Sequence, residues 1–227
     1  MDQRIKSFGA GARAVFPLLV GVFPFGLIYG TLAINSGLSP AAAQMMSSIV
    51  FAGSSQFIAA QLIHDAAPSI VIILTIAIIN LRHMLYSASL APYLKDLSPR
   101  WKGLLAYLLT DEAYATTVIH FERDGLTPTS HWFFLGAGLS LWSTWQISSA
   151  VGILLGTAIP AAWPLDFALP LTFIAMVVPV LTDRPVIASA LSAGLVALLA
   201  YNLPFKLGLI LAAMVGIFFG VLLERRK

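Results

Sequence analysis

Residues 69–93 read SIVIILTIAIINLRHMLYSASLAPY, and residues 103–120 read GLLAYLLTDEAYATTVIH. Both stretches are apolar on the scale of a spanning helix, which needs about 20 predominantly apolar residues. Yet the first carries Arg82 and His83 near its centre, and the second carries Asp111 and Glu112. Ionisable groups at bilayer depth are costly, so they face a cavity or a bundle interior, pair with each other and mark a substrate or ion path. These two stretches make the chain a membrane protein and point first to transport.

The rest of the chain agrees. Of its 227 residues, 59% are hydrophobic and 10% charged, against roughly 25% charged in a soluble domain. Eight apolar elements follow from the pattern, at about 14–35, 41–63, 69–93, 103–120, 132–158, 167–181, 186–201 and 205–223. Prolines punctuate the joints at Pro40, Pro68, Pro99, Pro128, Pro185 and Pro204, as expected where helices stop. Long continuous runs exclude a β-barrel, whose strands alternate over about ten residues. The expected fold is an all-α polytopic membrane protein of six to eight hydrophobic helical elements, forming a single transmembrane domain over 1–227. Residues 1–13 read as a short basic lead with Arg4, Lys6 and Arg13. The apolar run behind it is long and holds Pro17 and Pro24, which reads as an uncleaved first helix. The net charge of +3 reflects membrane orientation rather than nucleic-acid binding. With no cysteine, thiol chemistry is excluded.

Orientation sets a constraint. Basic residues gather in 1–13, in 95–102 (Lys95, Arg100, Lys102) and in the tail Arg225, Arg226, Lys227, and such clusters stay cytoplasmic. Eight full crossings would put 1–13 and 95–102 on opposite sides. A re-entrant second element, broken at Gly53-Ser54-Ser55-Gln56, returns 95–102 to the cytoplasm. A matching break in the sixth element, which holds Pro170 and Pro179, does the same for the tail. The result is two inverted repeats, 14–120 and 132–223, a plan common among secondary transporters. Both termini are then cytoplasmic.

On a helix at 100° per residue, Asn80, His83 and Ser87 fall on one side of the third element and Arg82, Tyr86 and Ser89 on the other. A lipid-facing helix cannot be polar on both sides, so this one is central or unwound near Asn80. Arg82 stands about a dozen residues from the loop, roughly 18 Å, too deep for easy snorkelling. In the fourth element Tyr107, Asp111 and Tyr114 share a face on a continuous helix, with Glu112 about 100° away. Arg82 and a carboxylate, Asp111 or Glu112, can then pair at similar depth. The spare carboxylate is left for an ammonium, a cation or a proton. The same charges could also form a purely structural pair. Ser54, Ser55 and Gln56 offer hydroxyls, an amide and free backbone groups at the expected break. Phe25 and Trp145 are candidates for an apolar wall, with core packing as the plainer reading. Gly26-x-x-x-Gly30, Gly152-x-x-x-Gly156 and Gly216-x-x-x-Gly220 permit close helix approach. No Gly-rich phosphate loop, Walker lysine or His-x-x-x-His metal motif occurs, so the chain holds no ATP site and implies no cofactor or metal.

Four motifs carry a family resemblance: Pro-Phe-Gly at 24–26, Ser-x-x-x-Phe-Ala-Gly-Ser-Ser-Gln-Phe at 47–57, Asn-Leu-Arg-His-Met-Leu-Tyr at 80–86 and Leu-Thr-Asp-Glu-Ala-Tyr-Ala at 109–115. In this order and spacing they resemble the AzlC family, large subunits of branched-chain amino acid exporters. They cover the first half of the chain; the second half adds only hydropathy and the Pro-rich stretch at 179–185. The resemblance implies a non-enzymatic inner-membrane exporter of leucine, isoleucine and valine, with methionine as a further substrate. It also implies a small AzlD-type membrane subunit as partner. A zwitterionic amino acid needs a cation for its carboxylate, an anion for its ammonium and an apolar wall. Arg82, then Asp111 or Glu112, then Phe25 with Trp145 supply these, with Asn80, Ser54, Ser55 and Gln56 as further polar contacts. Without an ATP site, an ion gradient drives the cycle, with Glu112 or His83 as the proton-coupling group.

Three other classes compete. Rings of charge can select ions in a passive channel. Ser54 or Ser55 with His83 could form an intramembrane serine hydrolase, but Gly53-Ser54-Ser55-Gln56 lacks the second glycine of a Gly-x-Ser-Gly loop. The chain could also be an assembly subunit whose partner transports.

Overall fold

The computed structural model describes residues 2–158, 181, 183–203 and 207–224. These residues form nine α-helices and one short 3-10 helix, with no strand among them. Helix Gln3–Asn35 and the run Ser69–Leu94 are each long and apolar enough to cross a membrane. The protein is an all-α membrane protein. It divides into two compact units, Met1–Trp163 and Pro164–Lys227.

The first unit contains α1 (Gln3–Asn35), α2 (Pro40–Val50), α3 (Gly53–His64), α4 (Ser69–Leu90) with a 3-10 turn at Ala91–Leu94, α5 (Pro99–Tyr107), α6 (Asp111–Asp124) and α7 (Ser130–Ala158). Of the basic lead expected at 1–13, residues 3–13 are part of α1. Asp2 caps it, its carboxylate accepting from the Arg4 amide at 3.1 Å. The helix runs on through Pro17 and Pro24, each of which removes one backbone hydrogen bond. Contact with α7 compensates. A Cβ at Gly30 would lie 2.4 Å from the Ser149 carbonyl oxygen, and one at Gly152 would lie 2.2 Å from that of Leu27. The two small-residue motifs on α1 and α7 therefore face each other at backbone distance. Gly11 meets Phe133, Gly30 meets Gly152 and Gly156 meets Thr31. The numbers rise together, so the two helices are parallel.

Between them in sequence come two hairpins, which pack against this helix pair from opposite ends. α2 descends from the C-terminal end of α1, with the Tyr29 hydroxyl donating to the Ala43 carbonyl at 2.8 Å. Phe51 adopts the left-handed conformation, φ 39°, and turns the chain. α3 climbs back, its Phe57 ring packing on Phe25 and Tyr29 with centroids 4.5 and 6.0 Å away. The expected re-entrant second element is present. Its break falls at Phe51–Ala52, just ahead of Gly53, which is the first residue of α3. α4 then runs antiparallel to α3 toward the other end. It stays helical through Asn80, so the unwinding considered there does not occur. One face of α4 leaves Ile70, Ile73, Leu81, Met84 and Leu85 exposed, an apolar surface suited to lipid.

The fourth element departs from expectation. Instead of one crossing over 103–120 it is a second hairpin, α5 rising and α6 returning. Trp101 packs on His131 and Trp132 at the start of α7, with centroids at 4.7 and 5.2 Å. Tyr107 reaches Trp142 further up. His120 is back at Phe133, stacked at 3.7 Å. The cause is local: Thr110 caps a new helix by accepting from the Ala113 amide at 3.3 Å, and Asp111 and Glu112 occupy its first turn. An N-cap threonine and early acidic residues both favour a helix start.

One crossing helix followed by a hairpin thus occurs twice with opposite sense, over 3–64 and 69–124. The second of the repeats expected at 14–120 and 132–223 runs through 159–180, which lies outside the described residues; α7, its first helix, is parallel to α1. The sixth element, 167–181, lies outside the described residues apart from Leu181. The segment 95–102 ends up beside the N-terminal part of α1, where Ser7 bonds Thr129 at 2.9 Å, so the two basic segments share one end of the bundle.

The second unit contains α8 (Arg184–Leu199) and α9 (Leu207–Glu224). Asp183 caps α8, accepting from the Val186 amide at 3.1 Å. Gly208 meets Ala200, Gly216 meets Ala193 and Gly220 meets Ser189, so the two helices are antiparallel and closely packed along the expected small-residue stripe.

Candidate functional site

The tips of the two hairpins meet halfway along the first unit, and Arg82 joins them. Its guanidinium forms an ion pair with Asp111, in the first turn of α6. Its second terminal nitrogen donates to the Ser54 hydroxyl at 2.9 Å, in the first turn of α3. The Ser55 hydroxyl donates to the Asn80 amide oxygen at 2.6 Å. Both half-helices begin here, so two positive dipole ends converge on one place. Asp111 and Glu112 sit where that field favours carboxylates. Glu112 has the Thr110 hydroxyl, Asp111 and Arg82 as neighbours.

The two helix starts differ. α6 has Thr110 as its cap, whereas α3 starts after Ala52, which has no side chain to offer. Gln56 reaches back to accept from the Ala52 amide at 3.2 Å. The first turn of α3 therefore starts beside Arg82 without a side-chain cap, an arrangement that accommodates an anion. Arg82 Nε and Asp111 Oδ1 are buried atoms without a hydrogen-bond partner. The rest of the pair is open: the Arg82 side chain is 31% and that of Asp111 43% exposed. This ion pair borders accessible space rather than a sealed core.

Behind Gly53 stands an aromatic cluster. Phe25 and Trp145 lie 5.9 Å apart, and Trp145 stacks on Tyr29 at 5.8 Å. A Cβ on Gly53 would come within 3.1 Å of both the Phe25 and Trp145 rings. Both rings are nearly fully buried, so they brace the start of α3 from the core side. His83 lies one residue past Arg82, its Nδ1 3.3 Å from the Asn80 carbonyl oxygen and its ring edge-on to Tyr86. Tyr86 stacks on Tyr114 at 4.6 Å, and the Tyr114 hydroxyl donates to Ser89 at 3.0 Å. Arg82, Tyr86 and Ser89, which share a face in the helical reading, make the α4–α6 contact. Among the described residues no hydrogen bond joins His83 to Ser54 or Ser55, and no group of three His, Cys, Asp or Glu is placed to hold a metal.

The structure thus gathers Arg82, Asp111, Asn80, Ser54, Ser55, Gln56, Glu112 and His83 around one junction, with Phe25 and Trp145 as its backing. It adds Tyr107, which the reading of a continuous fourth helix placed beside Asp111. Tyr107 precedes the break. Its hydroxyl donates to the Ser48 carbonyl and accepts from Trp142 Nε1 at 2.7 Å, tying both hairpin tips to α7. A polar cluster lies alongside: Gln146 Oε1 accepts from Gln44 at 2.8 Å and from Ser48 at 3.0 Å, and Ser47 donates to Ser149 at 3.1 Å. The signal for the second tip was Thr110-Asp111-Glu112, a cap followed by two acidic residues.

The model of the AzlC protein family matches residues 17–159, from within α1 to the end of α7, and so spans the whole junction. The chain belongs to the AzlC family. It is 32% identical over 214 residues to an uncharacterized membrane protein of Archaeoglobus fulgidus, covering 92% of each chain. It is 27% identical to the inner membrane protein YgaZ of Escherichia coli, over 74% of this chain and 70% of that one. It is 24% identical to the branched-chain amino acid transport protein AzlC of Bacillus subtilis, over 77% of this chain and 69% of that one. No solved structure matches the chain. Membership links this fold to branched-chain amino acid transport.

Proposed function

We propose that this chain is a secondary transporter that exports leucine, isoleucine and valine, and methionine as a further substrate, across the inner membrane. It is a multi-pass protein with both termini cytoplasmic, it works with a small AzlD-type membrane subunit, and an ion gradient drives it. The observation that carries this reading is Arg82 holding Ser54 and Asp111, on the tips of two hairpins that enter from opposite ends. Each hairpin blocks the path from its own end. A group that competes for Arg82 loosens the link between tips, and alternating access needs such a coupling between site and gates.

The substrate carboxylate binds Arg82 and the uncapped start of α3, beside Ser54, Ser55, Gln56 and Asn80. Its ammonium binds Asp111, whose Oδ1 has no partner in the resting arrangement. Phe25 and Trp145 back the apolar side chain through Gly53. Glu112 or His83 carries the coupling proton. The chemistry is binding and release, not catalysis: Ser54 and Ser55 are engaged by Arg82 and Asn80 rather than by a base.

Counterflow of labelled leucine in proteoliposomes, with and without a co-expressed small subunit, tests the reading. Saturable uptake that accelerates against internal unlabelled leucine is expected. Flux that rises linearly with concentration, without counterflow, would make the protein a pore. Export that persists after the proton gradient is collapsed would remove the coupling role from Glu112 and His83.

A further inference from the structure

A cavity lies away from the Arg82 junction, between the end of α4 and the rising half-helix α5. Its volume is about 220 Å³. Leu90 and Leu94 line one side, Leu105 and Leu109 the other, and Phe134 closes the back. Its polar contributors are Ser87 and Lys102. Lys102 stands at the basic end of the bundle, and its ammonium donates to the Lys95 carbonyl at 2.6 Å. An ammonium has three donors, so two remain for a ligand. Lys95 and Arg100 are exposed in the same segment, with Asp96 as the carboxylate among them. Along α5 the cavity runs from Lys102 to Ala106, roughly 6 Å at 1.5 Å per residue, and it continues to Leu109 just past the helix end.

This lining selects its ligand. One end is cationic and the rest is hydrocarbon. No carboxylate lines the cavity, so the ammonium of a free amino acid would meet Lys102 with like charge and find no counter-ion. A ligand with one anionic head and an apolar tail satisfies every wall. Such a cavity beside a basic segment at a membrane surface suits an anionic lipid.

We propose that this cavity binds an anionic phospholipid, its phosphate on Lys102 with Lys95 and Arg100 nearby, and one acyl chain lying between α4 and α5 as far as Leu109. The chain then ends next to Thr110 and Asp111, at the tip of the second hairpin. The lipid acts as a packing partner of a half-helix that has few neighbours of its own. The site does not depend on what the protein transports.

Native mass spectrometry of the full chain, delipidated in detergent and then given phosphatidylglycerol or phosphatidylcholine, tests the site without any transport measurement. Both lipids carry a phosphate, but the choline cation of phosphatidylcholine cancels its charge; retention of phosphatidylglycerol over phosphatidylcholine by about fivefold is expected from one lysine beside a net anionic headgroup. Lys102→Gln should abolish that preference. Ala106→Phe, which fills the cavity from the α5 side, should reduce binding of both lipids. Arg13→Gln, a charge removed elsewhere on the same end, should change nothing, and excess leucine should not displace the lipid. Unchanged melting temperatures certify the folded state of each variant. Equal retention of the two lipids overturns the proposal, as does an equal loss of preference in Arg13→Gln. Displacement by leucine also overturns it, and gives the cavity to the amino acid.

Discussion

Arg82→Gln perturbs the protein in two separable ways. It removes the partner of Asp111 and the donor to Ser54, leaving a carboxylate at mid-depth whose Oδ1 is already unpartnered. Breaking a fully buried ion pair from one side costs 3–5 kcal/mol. Here the two side chains are 31% and 43% exposed, and water screens part of the stranded charge. A loss of about 2 kcal/mol is therefore expected, the size of one charge-assisted hydrogen bond with its desolvation. Arg82→Gln with Asp111→Asn removes the stranded charge as well and should regain most of that loss. Transport behaves differently, because neither amide can bind a zwitterion's charges. Leucine counterflow should fall by about tenfold to a hundredfold in Arg82→Gln, the equivalent of 1.5–3 kcal/mol, and stay low in the double variant. Thermal unfolding in detergent gives the first quantity and proteoliposome counterflow the second, at equal folded yield. A double variant that recovers transport along with stability would refute the site and leave the ion pair a structural clasp.

Four further outcomes follow from the same geometry. Tyr107→Phe breaks the links from the hairpin tips to Ser48 and Trp142, and should lower stability by about 1 kcal/mol per lost neutral bond; faster amide exchange at Ala52–Ser54 and Thr110–Glu112 checks it. Gly152→Ala puts a Cβ 2.2 Å from the Leu27 carbonyl oxygen and should destabilise by about 1–3 kcal/mol through forced separation of α1 and α7, whereas Gly9→Ala, with nothing within 4 Å, should be neutral or stabilise by up to about 1 kcal/mol; melting temperatures compare the two. Thr110→Ala removes the α6 cap and should cost about 1 kcal/mol, while Ala52→Ser adds a cap to α3 and should weaken leucine binding by competing for the same amides, read as a raised half-saturation in counterflow. Gly53→Val should crowd Phe25 and Trp145 and quench or shift the Trp145 fluorescence as it disturbs the start of α3.

Composition and periodicity established most of what is local about this protein. Apolar run length specified helices in a membrane, because backbone groups without water must bond within their own segment. Charge within those runs located Arg82, His83, Asp111 and Glu112, since such groups are expensive at depth. The small-residue motifs of α1 and α7 were legible as packing surfaces, and a break in the second element was legible to within a few residues: the pattern puts it at Gly53-Ser54-Ser55-Gln56, and it falls at Phe51–Ala52, with Gly53 opening α3. The second break was written in Thr110-Asp111-Glu112, but an apolar run of crossing length masks a cap inside it. Hydropathy measures how much chain is apolar, not whether it goes through or turns back. Only tertiary structure decided that 103–120 is a hairpin, that α1 and α7 are parallel, and that two half-helix starts meet at one arginine. Those facts rest on contacts between residues distant in sequence, such as Gly30 with Gly152 and Trp101 with His131, and no local pattern encodes the partner of a contact.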